Sequence, residues 1–142
     1  MSKVAIIYWS STGNTQAMAE AIFEGAKEVN SDVALFQVSE TSASDALAYD
    51  TLILGCPAMG AENLEEGEFE PFFSEIESSL AGKNIALFGS YGWGDGTWMR
   101  DWEDRVNTAG GSLVEDGLTV NETPDGNALV ECQELGKRVA KL

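Results

Sequence analysis

Histidine is absent from this chain of 142 residues, and only two cysteines occur. The lack of imidazole excludes His metal ligands and imidazole acid–base catalysis. Cys56 and Cys132 lie far apart in apolar stretches, without C-x-x-C spacing or a disulfide framework. We interpret both as buried thiols of a reducing compartment, the cytoplasm. We predict no metal site and no catalytic residue.

Positive charge is also scarce in the sequence. Lys and Arg number 8 against 24 Asp and Glu, which gives a formal net charge of −16. No basic residue occurs between Lys27 and Lys83, whereas twelve acidic residues lie there. This balance disfavours nucleic acid and anionic membranes as partners and favours a protein with a basic surface. The first apolar run has only six or seven residues, too few for a signal peptide or a membrane span.

The chain alternates strand-like and helix-like patterns, and we interpret residues 1–142 as one domain. Apolar stripes at helical spacing begin at Met18, Phe69, Trp98 and Leu129, and a short helix is predicted within 42–49. The strand candidates are 3–9, 32–38, 51–55, 84–89 and 112–120, the last interrupted by Asp116-Gly117. The alternation predicts an α/β fold, a doubly wound sandwich around a parallel sheet. Ligands of such folds bind beyond the carboxyl ends of the strands, where loops 10–15, 56–67 and 90–97 meet.

The loop after the first strand, SSTGNT, combines hydroxyl and amide side chains with the start of a helix. Backbone N–H groups and the helix dipole favour an anion at such a position. No Lys or Arg lies between Lys3 and Lys27, so a phosphate there would be held by neutral donors. The spacings of Walker and Rossmann loops are both absent. A simple turn that caps a helix is the alternative interpretation.

The other two loops carry large side chains between glycines. Trp93 lies within SYGWGDGTW, and Met59 lies near the start of CPAMGAENLEEGEFEP. Closely spaced glycines allow the backbone to approach a flat ligand, and a methionine thioether packs well on aromatic faces. We therefore expect Met59 and Trp93 to contact opposite faces of one planar ring.

Together, the SSTGNT, CPAMG and GSYGWGDG motifs resemble those of the flavodoxin family, and the resemblance covers the whole chain. It is similar to the short-chain type, because the last strand carries no long insertion. The resemblance implies a five-stranded parallel sheet of order 2-1-3-4-5 and one non-covalently bound FMN. It implies an electron carrier of low potential rather than an enzyme, with basic redox proteins as partners, and we expect a monomer.

The resemblance also implies a role for each loop residue toward FMN. The residues expected at the 5′-phosphate are Ser10, Ser11, Thr12, Gly13, Asn14 and Thr15, with help from Ser90. Pro57 and Ala58 would lie along the ribityl chain. Met59 and Trp93 would flank the isoalloxazine ring.

The remaining implied contacts are polar and surround the ring. Glu62 would accept a hydrogen bond from flavin N3–H, and the backbone N–H groups of Gly92 and Gly94 would meet the pyrimidine edge. Tyr91, in the same loop, is also expected to bind the cofactor. The carbonyl of Gly60 would meet N5–H and favour the semiquinone. On one-electron reduction, the Gly60–Ala61 peptide is expected to rotate so that this carbonyl points to N5. If the rotated turn is of type II, Ala61 takes the position that needs a positive φ. An uncompensated phosphate and nearby carboxylates should make the second reduction step strongly reducing, unless solvent screens them.

Two other classes of protein with this type of α/β fold do not match the sequence. A phospho-receiver domain needs acidic residues where Trp9-Ser10 and Gly55-Cys56 stand. A low-molecular-weight phosphatase needs C-x5-R, and no arginine follows Cys56 at that distance. An FMN-dependent quinone reductase remains the alternative function, and a non-redox flavin-binding module is a third.

Overall fold

The computed structural model describes residues 3–60 and 62–142, and strands and helices alternate along them. The strands are β1 Val4–Tyr8, β2 Val33–Gln37, β3 Thr51–Gly55, β4 Asn84–Tyr91, β5 Ser112–Leu113 and β6 Leu118–Asn121. The helices are α1 Asn14–Val29, α2 Ala43–Ala46, α3 Phe69–Glu77, α4 Thr97–Thr108 and α5 Gly126–Ala140, with a 3-10 turn at Val38–Glu40. None of the helices in this part of the chain has the length and apolar character of a bilayer-spanning segment.

All strand pairs of the sheet are parallel, and the order is β2-β1-β3-β4-β5, with β6 also beside β4. This order confirms the prediction. Every residue of β1 and β3 is buried, as expected for central strands covered on both faces. Tyr8 pairs with Gly55, and Gly55 pairs with Phe88, so β1, β3 and β4 direct their carboxyl ends toward one edge of the sheet.

The fifth position of the sheet is divided between two short strands, whereas the sequence predicts one interrupted strand. β5 pairs with the start of β4, and β6 pairs with its end. Between them, the backbone N–H of Gly117 donates to a carboxylate oxygen of Glu103 in α4 at 2.6 Å. A Cβ atom at Gly117 would overlap the side chain of Met99. The break in the strand is therefore a packing contact with α4, made possible by the glycine.

Helices cover both faces of the sheet and form two apolar cores. On one face, α3 and α4 bury Phe73, Trp98 and Trp102 against the strands. On the other face, α1 packs on α5 so closely that a Cβ atom at Gly136 would overlap the carbonyl of Ile22. The helical stripes of the sequence are thus buried on the faces that their periodicity predicts.

Candidate functional site

A cavity of about 190 Å³ opens at the carboxyl edge of the sheet, where the three loops meet. Its lining consists of Ser11, Thr12, Asn14, Pro57, Ala58, Met59, Ser90, Tyr91, Gly92 and Glu122. Nine of these ten residues are sequence-predicted site residues from three separate loops. The fold therefore brings together segments that are distant in the chain.

The first loop is held in shape by the side chain of Ser10. The hydroxyl oxygen of Ser10 accepts from the backbone N–H of Gly13 at 3.2 Å and of Gln16 at 3.3 Å. Gly13 precedes α1 with φ 94°, a conformation that favours glycine. Ser10 and Gly13 therefore shape the loop, and their neighbours Ser11, Thr12 and Asn14 line the cavity at the positive end of the α1 dipole.

Two buried hydroxyl groups connect the first loop to the third. Thr15 Oγ1 lies 2.9 Å from Ser90 Oγ, and the backbone N–H of Ser90 donates to Thr15 Oγ1 at 3.4 Å. Thr15 has only 1% of its surface exposed, so it does not line the cavity. Its place is beneath the loop, as a link between α1 and the end of β4.

The second loop is fixed by backbone hydrogen bonds. Ala58 N donates to the carbonyl oxygen of Ser90 at 3.0 Å, and Met59 and Asn63 exchange two backbone bonds of 3.0 and 3.1 Å. The turn that this bridge closes contains Gly60, with φ 41°, and Glu62, with φ 57°. Ala61 lies outside the described residues, so the positive φ expected there stays a prediction.

The second and third loops meet at Glu62. A carboxylate oxygen of Glu62 accepts from the backbone N–H of Asp95 at 3.1 Å. A Cβ atom at Gly94 would overlap that carboxylate, so the contact requires the glycine. Trp93, next to it, has 56% of its surface exposed, whereas Trp98 and Trp102 are buried. Trp93 is therefore the tryptophan of the third loop that is open to a ligand.

Beneath the site, Cys56 belongs to the core. Its carbonyl oxygen accepts from the indole N–H of Trp98 at 3.1 Å. Burial raises the pKa of the Cys56 thiol to about 12, although a hydrogen bond from Glu65 N acts in the opposite direction. The thiol is therefore protonated at neutral pH and has a structural place under the second loop.

The acidic residues in and near the second loop differ in their contacts. The carboxylate of Glu65 accepts from three backbone N–H groups, those of Gly67, Glu68 and Phe69, at 2.7, 2.8 and 2.9 Å, and so caps α3. The guanidinium of Arg105 holds the pKa of Glu70 below its ordinary value through two hydrogen bonds. Glu66 is exposed. Only part of this negative charge is therefore directed outward.

Glu122 is a residue of the cavity that the sequence analysis did not single out. It follows β6 with φ 59°, and its N–H donates to the carbonyl oxygen of Tyr91 at 2.7 Å. The sequence could have indicated this residue, because the fifth parallel strand ends at the same edge of the sheet as the other strands. The loop after that strand therefore belongs with the other three.

The donor set of the site fits the parts of FMN. Hydroxyl groups and the N-terminus of α1 suit a phosphate, because they supply hydrogen-bond donors and positive dipole ends. Met59 and Trp93 offer soft and aromatic surfaces to a planar ring. Gly92, in the cavity wall, has open space at the position that a Cβ atom would take, so a ligand can approach its backbone there.

Comparison with known proteins identifies the family. The flavodoxin family model matches residues 6–136. The flavodoxin of Clostridium beijerinckii is 53% identical over 96% of this chain and 99% of its own length. That of Megasphaera elsdenii is 45% identical over 97% of this chain and 98% of its own. The solution structure of two-electron reduced Megasphaera elsdenii flavodoxin matches with a TM-score of 0.89 and 46% identity, over 98% of this chain and 99% of that one. The chain belongs to the flavodoxin family, and it is an FMN-binding electron carrier of low potential rather than an enzyme.

Proposed function

We propose that the three loops hold FMN at the carboxyl edge of the sheet and expose its ring to redox proteins with basic surfaces. The observation that carries this proposal is the convergence of nine predicted residues around one cavity. When bound, FMN supplies the one-electron redox chemistry. The residues of the chain bind it, orient it and set the charge around it.

The phosphate end belongs to the first loop. Ser11, Thr12 and Asn14 line the cavity with neutral donors, while Ser10 and Gly13 maintain the turn behind them. Neutral donors satisfy the phosphate oxygens without cancelling their charge. The phosphate therefore adds to the negative potential around the ring, which disfavours the addition of further negative charge.

The ring end belongs to the second and third loops. We assign its two faces to Met59 and Trp93, and the polar edge to Glu62 and the N–H groups of Gly92 and Gly94. Pro57, Ala58 and Tyr91 would border the ribityl chain. The Glu62 carboxylate is already oriented by the Asp95 N–H group, so that it could accept a second hydrogen bond from flavin N3–H. The carbonyl of Gly60 is assigned to N5.

Several properties of the whole molecule are proposed with this site. Both cores share one sheet, which supports a single domain over residues 1–142. The large apolar side chains exposed among the described residues are Trp93, Val130 and Leu142, each from a different segment, which supports a monomer. Two free, buried thiols support the cytoplasm as the compartment.

Negative charge around the site supports docking to a basic surface. Glu62 and Glu66 belong to the second loop, and Glu68 follows it. The nearby Arg100 is paired with Asp95 at 3.4 Å. The net charge of −16 would attract a basic partner from a distance.

The experiment is reconstitution of the apoprotein with FMN or riboflavin, followed by stepwise reduction. We expect tight binding of FMN, weaker binding of riboflavin and reduction in two separate one-electron steps. Mixing the loaded protein with NAD(P)H and a quinone should give negligible turnover without a partner. Turnover of the isolated protein, or equal affinity for both flavins, would overturn the proposal.

A further inference from the structure

A second, smaller cavity of about 70 Å³ lies between the second loop and α4. Glu62 and Asn63 contribute to one side, and Asp101, Trp102 and Arg105 of α4 contribute to the other. Glu62 borders this cavity as well as holding the third loop through Asp95. The cavity therefore borders the turn that carries Glu62, the residue assigned to the polar edge of the flavin.

Trp102 borders this cavity, and its buried indole N–H is unusual. The side chain is 1% exposed, and its ring packs edge-on against Phe69 and Phe73, with centroid distances of 5.4 and 5.9 Å. Among residues 3–60 and 62–142, Trp102 Nε1 has no hydrogen-bond partner. A buried donor without an acceptor is unfavourable, so the polar side of the cavity has to provide one.

The chemistry of the lining restricts what that acceptor is. The carboxylates of Glu62, Glu70 and Asp101 border the cavity, and they repel an anion. A metal ion or an ammonium group has no lone pair to accept from the indole. The guanidinium of Arg105 donates four hydrogen bonds to Glu70 and Glu77, and it has no acceptor to offer to the indole. Only a group that accepts from the indole and donates to a carboxylate fits, and this is the chemistry of a hydroxyl group or of water.

We propose that this cavity is a structural hydration site that links Trp102 to Glu62. One water molecule accepts from Trp102 Nε1–H and donates to the Glu62 carboxylate, and the volume holds about two waters at roughly 30 Å³ each. Glu62 is the acceptor in preference to Glu70, whose two oxygens already serve Arg105 and Ser74. Trp102 is thereby a positioning residue that acts through water on Glu62. Its effect on the flavin rests on the proposed function.

The hydration site itself is tested by NMR on the ¹⁵N-labelled, FMN-loaded protein. Single Trp→Phe replacements assign the four indole signals. We expect the Trp102 indole proton to show a cross-peak to long-lived water. The indole of Trp98, which donates to the Cys56 carbonyl, provides the internal comparison for a donor with a protein partner. A Trp102 indole proton without a water cross-peak overturns the site. The cross-peak itself is measured on the unaltered protein, in which the core at Trp102 is intact.

The coupling to Glu62 is tested by FMN affinity in a double-mutant cycle. Trp102→Phe should weaken FMN binding roughly threefold to tenfold, the scale of one net hydrogen bond, and should have no further effect in a Glu62→Ala background. Phe73→Leu is the matched control, because it removes ring packing against Trp102 without removing a donor, and it should change affinity less than twofold. An equal loss from Trp102→Phe in both backgrounds overturns the coupling. If Glu62→Ala binds FMN like the unaltered protein, the Glu62 assignment of the proposed function fails and the coupling with it, while the water cross-peak still decides the hydration site.

Discussion

The side-chain oxygen of Thr15 lies 2.9 Å from that of Ser90, although 75 positions separate the two residues in the chain. Thr15 is in the first turn of α1, and Ser90 is near the end of β4. The pair therefore joins the phosphate-side loop to the ring-side loop beneath the cavity. Both residues are buried, and each hydroxyl is a hydrogen-bond partner of the other.

Thr15→Val should lower the free energy of unfolding by about 1–3 kcal/mol, because the isosteric valine leaves the Ser90 hydroxyl buried without this partner. Urea unfolding at saturating FMN, followed by circular dichroism, measures the loss. The double variant Thr15→Val/Ser90→Ala should cost less than the sum of the single changes. Additive losses would show that the two hydroxyls act independently.

Thr12→Val should weaken FMN binding by about 1.5–3 kcal/mol, the scale of a hydrogen bond to a charged group, and riboflavin binding much less. Flavin fluorescence titrations measure both affinities. Thr108→Val, at the far end of α4, is the matched control and should affect neither flavin. Equal losses for FMN and riboflavin would remove the phosphate assignment of this loop.

The sequence predicts the sheet order and the meeting of three loops, because long apolar runs and turn residues are local signals. The divided fifth position could not be predicted in the same way. It depends on the contact of Gly117 with Glu103 and Met99 of α4, which exists only in the folded chain. The structural role of Glu65 could not be predicted either, because the acidic residues around it in the sequence suggest that it is simply another exposed carboxylate. Its capping role depends on three N–H groups that converge on it after folding.

Trp93→Ala should weaken FMN binding by about 1–3 kcal/mol, the scale of stacking on a planar heterocycle. In the unaltered protein, FMN should quench the fluorescence of Trp93, which is the exposed tryptophan of the third loop. Trp93→Phe should therefore remove most of the FMN-dependent quenching. If the quenching persists in Trp93→Phe and disappears in Trp98→Phe or Trp102→Phe, the ring lies elsewhere.

Glu70→Gln should lower stability at neutral pH, with a difference from the unaltered protein that disappears in acid. Arg105 holds the pKa of Glu70 below its ordinary value, so the ionised carboxylate is favoured by folding. The contribution is complete above the unfolded pKa of about 4.3 and is lost as the pH falls through the lower folded pKa. Unfolding free energies measured between pH 7 and pH 3 check this. In an Arg105→Met background, most of the pH-dependent difference in stability between Glu and Gln at position 70 should disappear, and only the smaller effect of the hydrogen bond from Ser74 should remain. A difference of unchanged size would assign the effect to another group.

Glu65 and Glu66 are adjacent in sequence, but substitutions there should have different consequences. Glu65→Ala should cost about 0.5–2 kcal/mol of stability, the range for loss of a helix cap, because three backbone N–H groups lose their acceptor. Glu66 is exposed, so Glu66→Lys should leave stability and FMN affinity close to their original values. Thermal unfolding and flavin titration separate the two effects, and a large stability loss in Glu66→Lys would show that its carboxylate is also structural.

Glu66→Lys should nevertheless slow electron transfer to a basic acceptor, since it reverses a charge beside the exposed ring. With a basic c-type cytochrome as the acceptor, the association rate of the unaltered protein should fall steeply as salt shortens the Debye length to about 8 Å near physiological ionic strength. Asp32→Lys is the matched control: it makes the same change in net charge but lies just before β2, at the amino edge of the sheet and away from the cavity. A purely global effect of the −16 net charge would slow both variants equally. A local docking surface requires Glu66→Lys to be the slower of the two and to show a weaker dependence on salt, because one attractive charge has become repulsive at the place where the partner approaches.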